Sequence, residues 1–221
     1  MMKPIIIFCD FDGTITMNDN IIAIMKQFQP EGWKDILEKA MNQQISIKET
    51  ISSMFALLPS TQKNEVIGFA LANMQIRRGF NQFLSYCREQ QIQFLVTSGG
   101  IDFFVYPTMH PFGIEKEQIY CNESNFEQER ILIKWPHPCD EHCSQDCGMC
   151  KATLIRSYAA DQYTRILIGD SITDFAGAKL ADFIFARSHL ATECSKLQIP
   201  YFAFESFFEV IEQLTILQTT L

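Results

Sequence analysis

The 221-residue chain predicts an α/β fold, a parallel sheet with helices on both faces, interrupted early by a helical insertion. Three matching segments carry that expectation. The apolar run Ile5-Ile6-Ile7-Phe8-Cys9 ends in Asp10-Phe11-Asp12-Gly13-Thr14. Phe94-Leu95-Val96 leads into Thr97-Ser98-Gly99-Gly100, and Ile166-Leu167-Ile168 leads into Gly169-Asp170-Ser171-Ile172-Thr173-Asp174. Short continuous apolar runs suit strands buried on both faces, as parallel strands are. An Asp-Gly tip alone could be an ordinary turn or helix cap. Three polar tips, each followed by a plausible helix, imply strand ends that converge on one site.

In chain order, the strand at Ile5–Cys9 is followed by a long segment that reads as helix. Residues 20–28 carry apolar side chains at helical spacing. Ser46-Ile47-Lys48-Glu49 has capping-box form and opens an amphipathic run to Leu58. Pro59-Ser60 breaks the chain, and 61–73 is helical again. The insertion is placed at residues 17–78, leaving 1–16 and 79–221 for the core. Gly79 opens a helix that leads to the Phe94 strand. Residues 126–135 read as a hairpin, 152–160 as a helix, 183–186 as a strand and 207–217 as an amphipathic closing helix.

The chemistry follows from the residue types at the tips. Asp10, Asp12, Asp170 and Asp174 gathered in one crevice repel one another. At about 4 Å each like-charge pair costs roughly 1 kcal/mol in bulk water and about 4 kcal/mol at an effective dielectric of 20. A positive group must therefore sit among them. All-oxygen donors point to a hard divalent cation, Mg²⁺ above others, which keeps waters and a substrate phosphate oxygen. Ser98 with the Gly99 and Gly100 amides, near a helix start, forms a candidate phosphate cradle.

The order Asp-x-Asp-Gly-Thr, Ser-Gly-Gly, a lysine, then Gly-Asp-Ser-x-x-Asp resembles the haloacid dehalogenase-like phosphatases, in particular their phosphoserine-phosphatase-like branch. Lys151, just ahead of the 152–160 stretch, matches the lysine. The resemblance spans Asp10 to about Arg187. It implies a Rossmann-like core and a small helical cap, the 17–78 insertion, that closes over the site and selects the substrate. It further implies that Asp10 attacks phosphorus to form an aspartyl-phosphate, and that Asp12 protonates the leaving oxygen and later deprotonates water. Mg²⁺ would be held by Asp10, the Asp12 carbonyl and Asp170, with Asp174 orienting the metal's water or the lysine. Ser98 and Gly99 would hold phosphoryl oxygens, and Lys151 would offset their charge. Asp19 falls near the position where phosphoserine phosphatases place an acid for the substrate amine.

Ile21, Ile22, Met25, Met54, Phe55 and Leu58 are expected chiefly as packing. Any that reach the pocket would favour a ligand with an apolar end, which a thioether tail suits. Segments 15–20, 100–107 and 135–139 further resemble one branch of the family, which implies a thioether-bearing enol phosphate from methionine salvage. Phosphoserine, another small phosphorylated metabolite, or transfer to an alcohol instead of water remain open. So does a zinc-dependent binding protein with vestigial acids.

A net charge of −8 argues against nucleic-acid and anionic-membrane surfaces, so attraction for a phosphate ester must be local. No span approaches the roughly 20 apolar residues of a membrane helix. The N-terminal Met1-Met2-Lys3-Pro4 and its apolar run superficially resemble a signal peptide, but the run stops at Asp10. A cytoplasmic monomer or homodimer is the expectation. The loop between 138 and 151 carries Cys139, Cys143, Cys147 and Cys150. It suits a structural Zn²⁺ site, with His137 or His142 as alternative ligands, or disulfides, or free thiols. Cys9, Cys87, Cys121 and Cys194 are scattered and read as ordinary buried thiols.

Overall fold

The computed structural model describes residues 3–220; Met1, Met2 and Leu221, the outermost ends of the expected core, lie outside the described residues. Strands β1 (Ile5–Cys9), β2 (Gln93–Ile101), β3 (Ile119–Asn125), β4 (Leu132–Lys134), β5 (Thr164–Gly169), β6 (Phe183–Ala186) and β7 (Phe202–Ala203) form one sheet. Their order is β4-β3-β2-β1-β5-β6-β7. All neighbours are parallel except the β3–β4 pair. The chain builds outward from β1 to β4 on one side, then returns to lay β5 against the other side of β1. That reversal is the topological switch point at which α/β sheets open a crevice.

Side chains of β1 alternate between two hydrophobic clusters. Ile6 and Phe8 join Leu95, Leu167, Ile184 and Leu190 on one face, while Ile7 and Cys9 join Val96, Ile166, Ile168 and Phe185 on the other. Burial on both faces requires helices on both. They are α1 (Asn20–Phe28), α2 (Trp33–Met41), α3 (Ile47–Ala56), α4 (Lys63–Ala72), α5 (Phe80–Glu89), α6 (Asp102–Met109), α7 (Lys151–Arg156), α8 (Phe175–Ala178), α9 (Ser188–Lys196) and α10 (Phe207–Thr220). Gly79, with φ +83°, stands at the N-terminus of α5. Among the described residues no helix is long and apolar enough to cross a membrane.

The inserted helices α1–α4 share the larger cluster with the sheet. Met25, Met54, Phe55 and Leu58 are buried within it, in keeping with a packing role, and Phe55 meets Phe103 of α6 at 6.1 Å. The chain enters and leaves the insertion side by side. Thr16 and Ile76 form an antiparallel bridge, flanked by Met17 N–H donating to Gln75 O at 2.9 Å and Arg77 N–H donating to Ile15 O at 2.8 Å. Ser46 caps α3 as its motif predicts, its Oγ accepting the Glu49 amide at 3.0 Å.

Two elements differ from expectation. The hairpin is displaced toward the N-terminus: its first strand is β3, and 126–131 is the turn rather than the first strand. Packing of Phe126 on Phe103 at 5.8 Å draws that residue out of the ladder. The helix expected over 152–160 is the shorter α7. Its last turn tightens as Ser157 N–H donates to both Thr153 O and Leu154 O, and Tyr158 turns edge-on to Phe8 at 5.4 Å.

Phe83 of α5 is fully buried against Phe94 of β2 at 5.5 Å and Phe207 of α10 at 4.9 Å. Phe83→Ala should therefore cost about 3–5 kcal/mol in a urea titration. A loss under about 1 kcal/mol would mean that α10 is not held by this contact.

Candidate active site

Asp10 follows β1 directly and its amide donates to Ile168 O at 2.9 Å, which docks the end of β1 on β5. The chain then makes a wide turn over Phe11–Ile15, closed by Thr16 N–H donating to Phe11 O at 2.9 Å. Gly13 sits inside this turn at φ +77°, and a Cβ there would lie 2.2 Å from Asp170 Oδ2. A side chain is thus excluded by conformation and by space. Gly169, the last residue of β5, makes similar room: a Cβ would come within 2.5 Å of Asp174 Cγ.

The carboxylate oxygens of Asp10, Asp170 and Asp174 lie within 4.8 Å of one another. Lys151, the first residue of α7, reaches into this group. Its Nζ is 2.6 Å from Asp10 Oδ1 and also donates to Asp174 Oδ1. Asp10 is 4% exposed, Lys151 3% and Asp174 0%, so the pairing is shielded from solvent. Asp174 is committed on both oxygens, since Oδ2 accepts the Asp170 amide at 3.1 Å and the Ser171 amide at 2.9 Å. Asp170 accepts the Thr14 hydroxyl at 3.2 Å.

Three carboxylates against one ammonium leave a surplus of two negative charges. Burial, reinforced by the charge of Asp174, raises the proton affinity of Asp10, while Lys151 opposes the rise. Asp170 is pushed up by the same burial and the same neighbour. Burial works against the Lys151 ammonium, yet Asp10 and Asp174 outweigh it and hold its proton more tightly than in an ordinary lysine. An oxygen-only donor set with this surplus fits a hard divalent cation. Asp10 and Asp170 retain oxygens for it, whereas those of Asp174 are taken by protein donors.

Asp12 belongs to the other half of the site. Its Oδ1 accepts the Asn20 side-chain amide at 2.6 Å and the Asn20 backbone N–H at 3.1 Å. Burial pushes the Asp12 carboxyl up to about 7, the charge of Asp19 adds to the rise, and the two Asn20 donors pull against it. Ser98 is fully buried near the end of β2; its Oγ accepts the Gly100 amide at 2.9 Å, which leaves the hydroxyl proton to donate. Gly100 N–H is thereby occupied, so the expected cradle reduces to Ser98 and Gly99. The Gly99 carbonyl accepts from Asn122 Nδ2 at 2.7 Å. Asp19 is exposed and serves as the N-cap of α1, accepting the Ile22 amide at 3.0 Å.

The sequence reading did not single out Asn20, Thr14, Arg77 or Arg187. Arg77 is 3% exposed and donates to Thr14 O at 2.7 Å, Gly13 O at 2.6 Å and Thr16 O at 3.3 Å. Arg187 adds a bond to Gly13 O at 2.9 Å. Together they clamp the carbonyls of the turn that carries Asp12. Asn20 had a local signal, the Asp-Asn pair at a helix start. Arg77 had none, because its partners lie some sixty residues upstream.

The 139–150 loop packs beside α7. All eight cysteines are unbridged, and the four Sγ atoms of Cys139, Cys143, Cys147 and Cys150 fall within 4.8 Å of one another. His137 stands outside this group with its ring 5.1 Å from Tyr120, and His142 is exposed, facing Glu141.

Two acids at a switch point, with a lysine from a later helix and a third acid after β5, define a class of protein. The family model for haloacid dehalogenase-like hydrolases matches residues 7–179, and the chain belongs to that family. It is 51% identical to 2-hydroxy-3-keto-5-methylthiopentenyl-1-phosphate phosphatase of Brevibacillus brevis, over 96% of this chain and 95% of the relative. It is 46% identical to the phosphatase of the same name from Geobacillus thermodenitrificans, over 97% of each chain. In fold it is similar to a solved phosphoserine phosphatase carrying a phospho-aspartyl intermediate analogue, with a TM-score of 0.71 at 16% identity over 96% of this chain and 99% of that one.

Gly169→Ala should push Asp174 away from Lys151. A misplacement of about 1 Å is expected to lower kcat about a hundred-fold with the far-UV circular dichroism unchanged. Wild-type turnover in that variant would show that the Asp174–Lys151 contact does not matter to the reaction.

Proposed function

We propose that this chain is a Mg²⁺-dependent phosphomonoesterase. Its substrate in this reading is 2-hydroxy-3-keto-5-methylthiopentenyl-1-phosphate, which it converts to 1,2-dihydroxy-3-keto-5-methylthiopentene in methionine salvage. The observation that carries the chemistry is the buried Asp10–Lys151 pair, 2.6 Å apart, beside Asp170 at the carboxyl ends of β1 and β5. The substrate rests on near-full-length likeness to phosphatases of that name.

In this reading an Asp10 oxygen attacks phosphorus and forms an aspartyl-phosphate, splitting one displacement into two easier ones. Asp12 gives its proton to the leaving oxygen, then takes one from the water that cleaves the intermediate. A carboxyl at about 7 suits both duties near neutral pH. Lys151 offsets charge on the nucleophile and the transferring group, and Asp174 positions Lys151. Ser98 Oγ–H and the Gly99 amide hold phosphoryl oxygens. Asp10, the Asp12 carbonyl and Asp170 would hold Mg²⁺, which supplies neutralisation of phosphate charge. Residues 17–78 act as the inserted cap over a core of 1–16 and 79–221. The protein works on a small phosphorylated metabolite, in the cytoplasm, as a monomer or homodimer.

The solved phosphoserine phosphatases of similar fold favour phosphoserine as the second reading. Against it, Asp19 is already employed as a helix cap. A Mg²⁺-dependent phosphate-release assay with both compounds separates the two: the thioether enol phosphate should give the higher kcat/KM. Preference for phosphoserine would replace the first reading with the second. Asp10→Asn should abolish turnover, and wild-type turnover in that variant would sink the covalent mechanism.

Asn20→Ala removes the side-chain donor that favours ionised Asp12 but keeps the backbone one, so the Asp12 proton is held to higher pH. The alkaline limb of the kcat profile should move upward, while an unmoved limb would exclude Asp12 as the proton donor.

A further inference from the structure

The cysteine cluster plays no part in the chemistry above, yet it is the second concentrated donor set in the molecule. Its six inter-sulfur distances all fall within 4.8 Å, and Cys143 Sγ stands 3.9 Å from Cys147 Sγ. Four sulfurs about 2.3 Å from a central ion occupy the corners of a tetrahedron whose edge is about 3.8 Å. A disulfide would require about 2.05 Å between two of them. The spacing therefore matches four ligands around one ion. A cluster of several iron atoms would hold its thiolate ligands further apart. One thiolate is already supported: the Cys147 amide donates to Cys139 Sγ at 3.4 Å.

We propose that Cys139, Cys143, Cys147 and Cys150 form a tetrathiolate site for one zinc ion. Soft thiolate donors in tetrahedral array select zinc over the hard cation expected at the acid site, so the two sites do not compete for the same metal. Binding converts four thiols to thiolates and releases their protons to solvent.

The surroundings assign the site a task. Between Cys143 and Cys147, Asp146 faces the start of α3: its Oδ2 accepts the Ser46 hydroxyl at 2.7 Å, its carbonyl accepts the Lys48 amide at 3.3 Å, and Lys48 Nζ lies 3.5 Å from Oδ1. At the other end, Cys150 is 1% exposed and precedes Lys151 directly, and its carbonyl accepts the Leu154 amide. Asp140 ties the same loop to α7 through Thr153 Oγ1 and the Arg156 guanidinium. A short irregular loop has little packing of its own to hold these three attachments in register. The ion supplies the missing rigidity, and joins an inserted helix to the helix that delivers Lys151.

The test uses the whole chain as purified. Elemental analysis should give one zinc per chain that survives dialysis against Mg²⁺ buffer. Replacement by Co²⁺ should produce the thiolate-to-cobalt charge-transfer bands and strong visible bands of a tetrahedral sulfur site. Cys143→Ser should lose the zinc, whereas Cys194→Ser, at a buried thiol on α9 outside the cluster, should keep it. Should Cys143→Ser fail to fold, the cobalt spectrum of the unaltered chain still decides. Zinc removal with a chelator should lower the melting temperature and reduce kcat more than it raises KM, because Lys151 serves the transferring group. Loss of zinc without loss of thermal stability would overturn the assigned task. Absence of zinc with no cobalt–thiolate bands, iron in its place, or loop cysteines recovered as disulfides from freshly prepared protein would overturn the site itself. The zinc content, the cobalt spectrum and the melting temperature do not depend on which phosphate ester the enzyme takes.

Discussion

One buried ammonium among three carboxylates, two of them buried, governs this structure. Asp10 ends β1, Asp170 and Asp174 follow β5, and Lys151 opens α7, so a single charge pins three separate parts of the chain at one point. Removing one partner of a buried ion pair leaves an uncompensated charge, which costs about 3–5 kcal/mol. The surrounding features follow from that constraint. Gly13 and Gly169 are bare because carboxylates occupy the space where their side chains would stand. Asp174 is surrounded by backbone amides because a fully buried carboxylate needs donors on both oxygens. The remaining negative surplus is what a divalent cation and a phosphate-transferring site require of each other.

The strand ends were readable because parallel strands write themselves as uninterrupted apolar runs, and their polar tips stand out by contrast. Asp10 and Asp170 come together as those tips imply, and Lys151, marked only by the family resemblance, joins them. Arg77 and Arg187 were not readable, since they grip backbone carbonyls and no side-chain pattern in the partner marks that. The start of the hairpin was hidden for a related reason. β3 ends in Asn122-Glu123-Ser124-Asn125, polar residues that look like loop until Asp102 is seen accepting both the amide and the hydroxyl of Ser124. The length of α7 was set by a tertiary contact, Tyr158 on Phe8, which local propensity does not register.

The inserted helices do not rest loosely on the sheet. Phe55, Phe103 and Phe126 link them to α6 and to the hairpin turn, and a second seam runs where Leu58, Pro59 and Ser60 meet residues 129–131 through backbone bonds. Both seams lie away from the paired crossings at Thr16 and Ile76. The insertion is thus fastened both at its paired crossings and along these two seams.

The bonds from Asn20 to Asp12 join α1 to the turn after β1. Asp12 belongs to the turn after β1, Asn20 to the first turn of α1. The hydrogen bonding of this carboxylate therefore depends on where α1 sits. The Asp10–Lys151 pair, by contrast, involves no residue of α1. In the proposed reaction, the nucleophile Asp10 is thus held by the core alone, whereas the acid Asp12 takes two of its partners from α1.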